Sequence, residues 1–299
     1  MIRLALVGDG ERADQLTSLV PRIEDAEVTV RATSVDQLLV DESTTFDAAI
    51  LLAAAGAGDC EQLAGAGKHL LLPISSQLST EAIQALGDQC QQQGVCLMAG
   101  GTDRLVPALQ ATWQSLAAGE LGEPGLVRLH RWSTLESPRV AVTDDLVRDL
   151  DLVLNVCQAL PTGVYAVARS VLGAAEPDYL QVHLGFDSGA MALIDRSSTL
   201  PPGDGYFSFS VIGSSGAAYA DDHLNKQLVF RGEHPVAVGT GSDDLAAVAD
   251  IQEFCRAIQQ QRSAVVSGAD WLAAAKIAEA VSESIASGSA VSLAGGRPS

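Results

Sequence analysis

The stretch IRLALVGDGERADQL, residues 2–16, decides the fold. Ile2 to Val7 is a short apolar run that ends at Gly8, as a strand should. Gly8, Asp9 and Gly10 break it, and Glu11 to Leu19 follows with helical spacing. A strand, a glycine turn and a helix are the setting that G-x-G-x-x-G/A requires before it means anything. Gly8 allows the tight turn, Gly10 lets a pyrophosphate approach the backbone, and Ala13 permits close packing of helix on strand. Asp9 and Glu11 complement the helix dipole, by about 0.3–1 kcal/mol each when exposed, and would repel a phosphate. Arg12 can offset that repulsion by pairing with the phosphate. Two readings stand together: a dinucleotide site at Gly8, Gly10, Arg12 and Ala13, or a turn kept only for folding, with no cofactor.

Outward from this unit the alternation continues. Glu27–Ala32 and Ala48–Ala53 read as strands, Cys60–Ala66 as a helix stopped by Gly67, and His69–Leu72 as the next strand. Thr80–Gln93 is a helix with Ser79 as N-cap and Gly94 as its stop, and Val95–Ala99 is a further strand. Repeated βα units of this length imply a parallel doubly wound sheet. A helix over Pro107–Ala118 ends at GELGEPGLV, where the texture changes. Strand-like runs at Leu126–Trp132, Val164–Val171, Tyr179–Phe186, Ala190–Arg196, Phe207–Ile212 and Leu228–Phe230 are joined by Gly, Asp and Ser turns. Helices are expected over Asp144–Ala159, Leu245–Gln260 and Asp270–Ser287. The expectation is an α/β protein: a Rossmann domain over 1–120, then a domain over 121–299 with a mostly antiparallel open sheet.

Composition narrows the function classes. A net charge of −19 and a pI near 4.4 disfavour nucleic acid and anionic membrane as partners, since both would repel the chain. The longest apolar run, Ala48 to Ala55, is too short to span a bilayer. The opening MIRLALVGDG lacks the apolar length and cleavage site of a signal peptide, so a cytoplasmic address is expected. Five scattered cysteines, with no CxxC and no histidine at ligand spacing, point to buried thiols and to no metal.

Several strings in order then converge on one family. GKH before a strand, RLVPALQATWQSLAAGELGEPGLVRLHRW, DLDLVLNV with VYAVAR, FDSGAMALI, VIGSSGAAYADD and SAVVSGADWLAAAKIAEAVSESIASGSAV resemble the Gfo/Idh/MocA oxidoreductases across essentially the whole chain. The resemblance implies an NAD(P)-binding Rossmann domain and a second domain that walls the substrate cleft and often forms a homodimer or homotetramer through its sheet. It implies hydride transfer between a nicotinamide and a small sugar, cyclitol or related alcohol.

At the chemical positions this chain departs from that family. The acidic residue expected for the adenosine ribose falls on Thr33, followed by Ser34; with Arg31 they would suit a 2′-phosphate and so NADP over NAD. An ordinary polar strand end is the other reading. The family's catalytic lysine, aligned on Gly67, Lys68 and His69, falls on Ile74, which has no proton to give. The helical Asp and His, four residues apart, fall on Asp144 and Arg148, and an arginine holds an anion but does not shuttle protons at neutral pH. Arg104 and His130 are the candidates for substrate contact, and Asp145 and Asp149 are expected to be solvated. Two functions remain: an oxidoreductase with altered or lost hydride transfer, or a catalytically silent ligand-binding, structural or regulatory protein on the same fold.

Overall fold

The computed structural model describes residues 1–40, 45–52, 56–75, 78–134, 143, 145–173, 177–201, 205–221, 227–231, 234–238 and 243–293. The chain divides into two compact units, Met1–Leu105 with Ser242–Leu272 and Val106–Gly241 with Ala273–Ser299.

The first unit alternates β1 (Ile2–Val7), α1 (Glu11–Leu19), β2 (Ala26–Ala32), α2 (Val35–Val40), β3 (Ala48–Leu51), α3 (Ala57–Gly65), β4 (His69–Pro73), α4 (Thr80–Gln93) and β5 (Leu97–Gly100). The strands form one parallel sheet in the order β2-β1-β3-β4-β5. Position in the sheet explains their composition. β3 and β5 are buried at every residue, whereas β2 lies at an edge and exposes Glu27, Thr29 and Arg31. α4 is capped as its sequence requires, Ala82 N–H donating to Ser79 Oγ at 3.2 Å and Gly94 closing it in the left-handed region.

The first unit is not contiguous in sequence. After the second unit the chain returns as α7 (Asp243–Gln259), whose Ala247, Ile251, Phe254 and Cys255 join the core formed by Leu4, Leu6, Leu16, Leu19, Ile50 and Met98. Val266 O then accepts from Ala99 N–H at 3.1 Å, and Ser267 bridges to Met98, so this segment covers the edge of β5. Residues 242–272 thus count with the first unit, and α5 (Pro107–Ala117) with the second.

In the second unit, β6 (Pro124–Thr134), β7 (Gly163–Arg169), β8 (Tyr179–Gly185), β9 (Met191–Leu200), β10 (Tyr206–Gly213), β11 (Ala217–Asp221) and β14 (Val291–Ser292) form a sheet ordered β11-β10-β6-β9-β8-β7-β14. Every pairing is antiparallel except β6 with β9. The run expected at Leu228–Phe230 lies outside this sheet, in a separate hairpin of β12 (Gln227–Arg231) and β13 (His234–Val238). Val127, Leu129, Ile194, Val182, Phe209 and Val211 make a core with α6 (Leu146–Cys157) and the later part of α8 (Gly268–Ser287). The family strings ELGEPG and VIGSSG lock together here. Ser214 and Ser215 donate backbone N–H to Glu123 O and Leu121 O, and a Cβ on Gly213 would overlap Leu121 O.

Candidate functional site

The β1–α1 turn has the geometry its glycines suggest. Gly8 has φ +131°, donates its N–H to Ala32 O at 2.9 Å, and a Cβ there would lie 3.0 Å from Leu52 Cβ. Gly10 has φ +79° and open space where a Cβ would be. It precedes α1 without any side-chain cap, and Ala13 is fully buried beneath. A helix start of this kind, open and uncapped, can receive a phosphate on its backbone N–H groups.

The surrounding polar residues are held by one another. Arg12 Nη1 donates to Gln15 Oε1 at 2.7 Å, and Arg31 Nη2 donates to Asp14 Oδ1 at 2.8 Å. Thr33 donates both its backbone N–H and its hydroxyl to Gln37 Oε1, each at 3.0 Å, while Ser34 Oγ accepts from Gln37 N–H at 3.4 Å. Thr33 and Ser34 thus cap α2, a short helix that sequence periodicity did not reveal.

The GKH string is structural. Lys68 Nζ donates to Phe46 O at 2.7 Å and lies 4.5 Å from the Phe46 ring centroid. His69 Nδ1 accepts the Cys96 N–H at 2.8 Å, and burial pulls the imidazole below its ordinary pKa, so it is held neutral. Beyond β4, Ile74 is 2 % exposed. Its N–H donates to Gly100 O at 2.8 Å, and its carbonyl accepts the indole N–H of buried Trp271 at 3.1 Å. Arg104, also buried, donates to Val265 O at 2.8 Å and meets Asp270 Oδ1 at 3.5 Å. These contacts tie the segments after β4 and β5 to the returning chain.

In the second unit Asp144 lies outside the described residues, as do Ala53 and Ala54 in the first. α6 begins after Asp145 in the left-handed region (φ 56°), and Arg148 N–H donates to Asp145 O at 3.0 Å. Asp149, expected to be solvated, is wholly buried instead. Arg131 donates Nε to its Oδ1 at 2.8 Å with Nη2 at 2.7 Å, and Arg196 Nη1 donates to Oδ2 at 2.8 Å. Helical spacing explains the burial, because Asp149 lies three residues after Leu146 and four before Val153, both in the core. His130 is on the other face of the sheet. Its Nδ1 lies 3.3 Å from Asp195 Oδ2, with Trp132 edge-on at 5.7 Å and Tyr206 at 6.5 Å. Strand alternation therefore separates His130 from Arg131, and the pairing of Arg131 and Arg196 with buried Asp149 is what sequence reasoning missed. The signal was available: both arginines are in phase with buried Leu129 and Ile194.

Burial raises all five thiols, to about 11 for Cys96 and Cys255 and about 12 for Cys60, Cys90 and Cys157. Such thiols are poor nucleophiles and poor metal ligands. Among the described residues no cluster of His, Cys, Asp and Glu could hold a metal ion, and no helix is long and apolar enough to cross a membrane.

No family model matches the chain. It is 25% identical over 266 residues to the uncharacterized oxidoreductase YrbE of Bacillus subtilis (strain 168), covering 78% of this chain and 73% of that one. Among solved structures, scyllo-inositol dehydrogenase from Lactobacillus casei with bound NAD(H) and scyllo-inositol superposes with a TM-score of 0.84 at 16% identity, over 98% of this chain and 99% of that one. Myo-inositol 2-dehydrogenase from Lactobacillus plantarum gives 0.83 at 16% identity, over 98% and 99%. UDP-N-acetylglucosamine 3-dehydrogenase GnnA from Acidithiobacillus ferrooxidans gives 0.79 at 22% identity, over 96% and 98%.

Proposed function

Because this chain has the fold of the Gfo/Idh/MocA oxidoreductases, we propose that it binds a nicotinamide dinucleotide at the β1–α1 turn, and that hydride transfer on a sugar- or cyclitol-like substrate is altered or lost in it. The observation that carries this reading is the placement of Ile74. The position where the resemblance calls for a proton-carrying lysine holds a buried, aliphatic side chain whose peptide is bonded on both sides. Asp144 and Arg148 remain as the pair that would face a substrate, with Arg148 holding an anion instead of passing a proton.

The residues of the turn fit a pyrophosphate. Gly8 and Gly10 adopt the positive φ that the turn needs, Gly10 leaves room for a ligand, and no side chain caps α1. When bound, the nicotinamide supplies the acceptor or donor of a hydride. Thr33, Ser34 and Arg31 suit the 2′-phosphate of NADP better than the bare ribose of NAD. Arg31 would have to leave Asp14, an exposed pair whose loss costs only about 0–1 kcal/mol.

A second reading, a catalytically silent ligand-binding, structural or regulatory protein, is favoured by the same Ile74 and by Gln37 occupying the Thr33 hydroxyl. The sheet face carrying His130, Trp132, Tyr206 and exposed Tyr219 suits a homodimer or homotetramer. Titrating the purified protein with NADH and NADPH, following nicotinamide fluorescence, tests the first reading. Saturable binding with little or no oxidation of myo- or scyllo-inositol is expected. Absence of binding to either dinucleotide would sink it and leave the silent reading.

A further inference from the structure

The end of β2 carries an amide where an acid that reads an adenosine ribose would stand. Gly8 donates its N–H to Ala32 O at 2.9 Å, so Thr33 directly follows the residue that joins β2 to the glycine turn. Arg31, two residues before Thr33, reaches Asp14 in the first turn of α1 at 2.8 Å. Gln37, exposed on α2, receives both the N–H and the hydroxyl of Thr33 on Oε1, each at 3.0 Å. Position 33 has no carboxylate of its own, but an amide is fixed against it.

A backbone N–H can only donate, so the atom of Gln37 that faces Thr33 is the oxygen, and the orientation of the amide is settled. Its Nε2 group is left on the outer side, with no partner among the described residues. The Thr33 hydroxyl directs its proton at Gln37 and remains an acceptor for anything else. Arg31 is engaged by Asp14, whereas the Nε2 donors of Gln37 are free. A carboxylate in this place would accept from the ribose hydroxyls and repel a phosphate carried on one of them. A neutral amide whose oxygen is already engaged repels no phosphate and donates to it.

We propose that Gln37 sets the choice of dinucleotide: held by Thr33, it donates through Nε2 to the 2′-phosphate of NADP, while NAD, which lacks that group, binds less tightly. This rests on the reading of the β1–α1 turn as a dinucleotide site. Arg31, on leaving Asp14, adds charge, and Gln37 adds a donor of fixed direction. No backbone N–H of the six-residue α2 takes part.

Gln37→Glu is the discriminating variant. A carboxylate oxygen keeps both bonds from Thr33, while the Nε2 donors are lost and a negative charge is gained. A role confined to holding α2 predicts no change in melting temperature or in binding. The proposal predicts a melting temperature like that of the wild type and a ratio of NADPH to NADH affinity lowered about tenfold or more, with NADH still bound. Fluorescence titration of the full chain with each dinucleotide measures that ratio. Gln37→Met, which removes the donors without adding charge, should lower the ratio in the same direction by less. Gln92→Glu, the same change of charge on an exposed part of α4, should leave it unchanged. A wild type that prefers NADH, or an unchanged ratio in Gln37→Glu, overturns the proposal and keeps the dinucleotide site. If Gln37→Glu does not fold, Gln37→Met decides, and an unchanged ratio there overturns the proposal equally. A wild type that binds neither dinucleotide removes the site reading and the proposal with it.

Discussion

Restoring a lysine at position 74 is the direct way to ask whether this fold lacks only a proton carrier. The structure argues that Ile74→Lys will damage the protein before it can help the chemistry. Ile74 is 2 % exposed, so the substitution forfeits about 1.5–3 kcal/mol of apolar burial. An ammonium forced into the same place adds a desolvation cost of several kcal/mol. Even with relaxation the loss should be about 4 kcal/mol, a large part of a typical domain's stability. For a unit of this size that lowers the unfolding temperature by roughly 10–20 °C. Ile74→Met, which keeps volume and polarity, should cost less than about 1.5 kcal/mol and serves as the control. Differential scanning calorimetry gives both shifts. The gap between the lysine variant and wild type should narrow toward pH 10, because a buried amine titrates below its unfolded value and deprotonation relieves the penalty. A lysine variant that melts with the wild type and oxidises an inositol would refute this reasoning, since its side chain would then face solvent and ligand instead of the core.

Further outcomes follow from the same geometry. Asp149→Asn should destabilise by about 3–5 kcal/mol, because two guanidiniums lose their carboxylate, and Asp149→Leu combined with Arg196→Met should recover part of that; thermal melts of the single and double variants read the difference. Gly8→Ala should cost more than Gly10→Ala in urea unfolding. Both strain a positive φ, but only Gly8 also meets Leu52. His69, with its pKa lowered by burial, binds a proton less readily folded than unfolded. Its contribution is intact above about pH 6.5 and is lost as pH falls below that value. Melting temperatures at pH 7.5 and 5.5 should therefore differ less in His69→Asn than in wild type. Asp47, held down to about 2 by the hydrogen bonds of Arg3, gives a contribution that is present above about pH 4 and lost toward pH 2. Asp47→Asn should flatten that acid limb by no more than about 1 kcal/mol, since the pair is partly exposed.

Most of the first unit's framework was legible because its signals are local. A buried strand, two glycines at positive φ and a helix of the right phase lie within residues 2–19, and Ser79 and Gly94 mark both ends of α4. What escaped was either too short to show a period or dependent on distant partners. α2 has six residues, too few for periodicity to emerge, and it is stabilised by capping from Thr33 and Ser34. In the sequence Asp149 reads as a solvated acid, since a helical string does not name the partners that would let a carboxylate be buried. Its true surroundings are two arginines 18 and 47 residues away, on strands that bring them under α6. Lys68 and Arg104 are cations in a family-like string. Their contacts, the Phe46 and Val265 carbonyls, lie 22 and 161 residues away, and only the folded chain supplies them.

The late return of the chain to the first unit has a consequence in time. Residues of the returning segment, among them Ile251, Phe254, Cys255 and Val266, complete a core and a sheet edge whose remaining members are all synthesised by residue 105. At about 5–20 residues per second, a ribosome needs on the order of ten to thirty seconds to deliver them. During that interval the nascent parallel sheet has an open edge at β5 and apolar side chains without their cover. A fragment ending near residue 120 should resemble that waiting state, sticky and poorly folded. Chaperone demand during synthesis would then be set by the order in which the chain emerges, while the finished protein gives no sign of it.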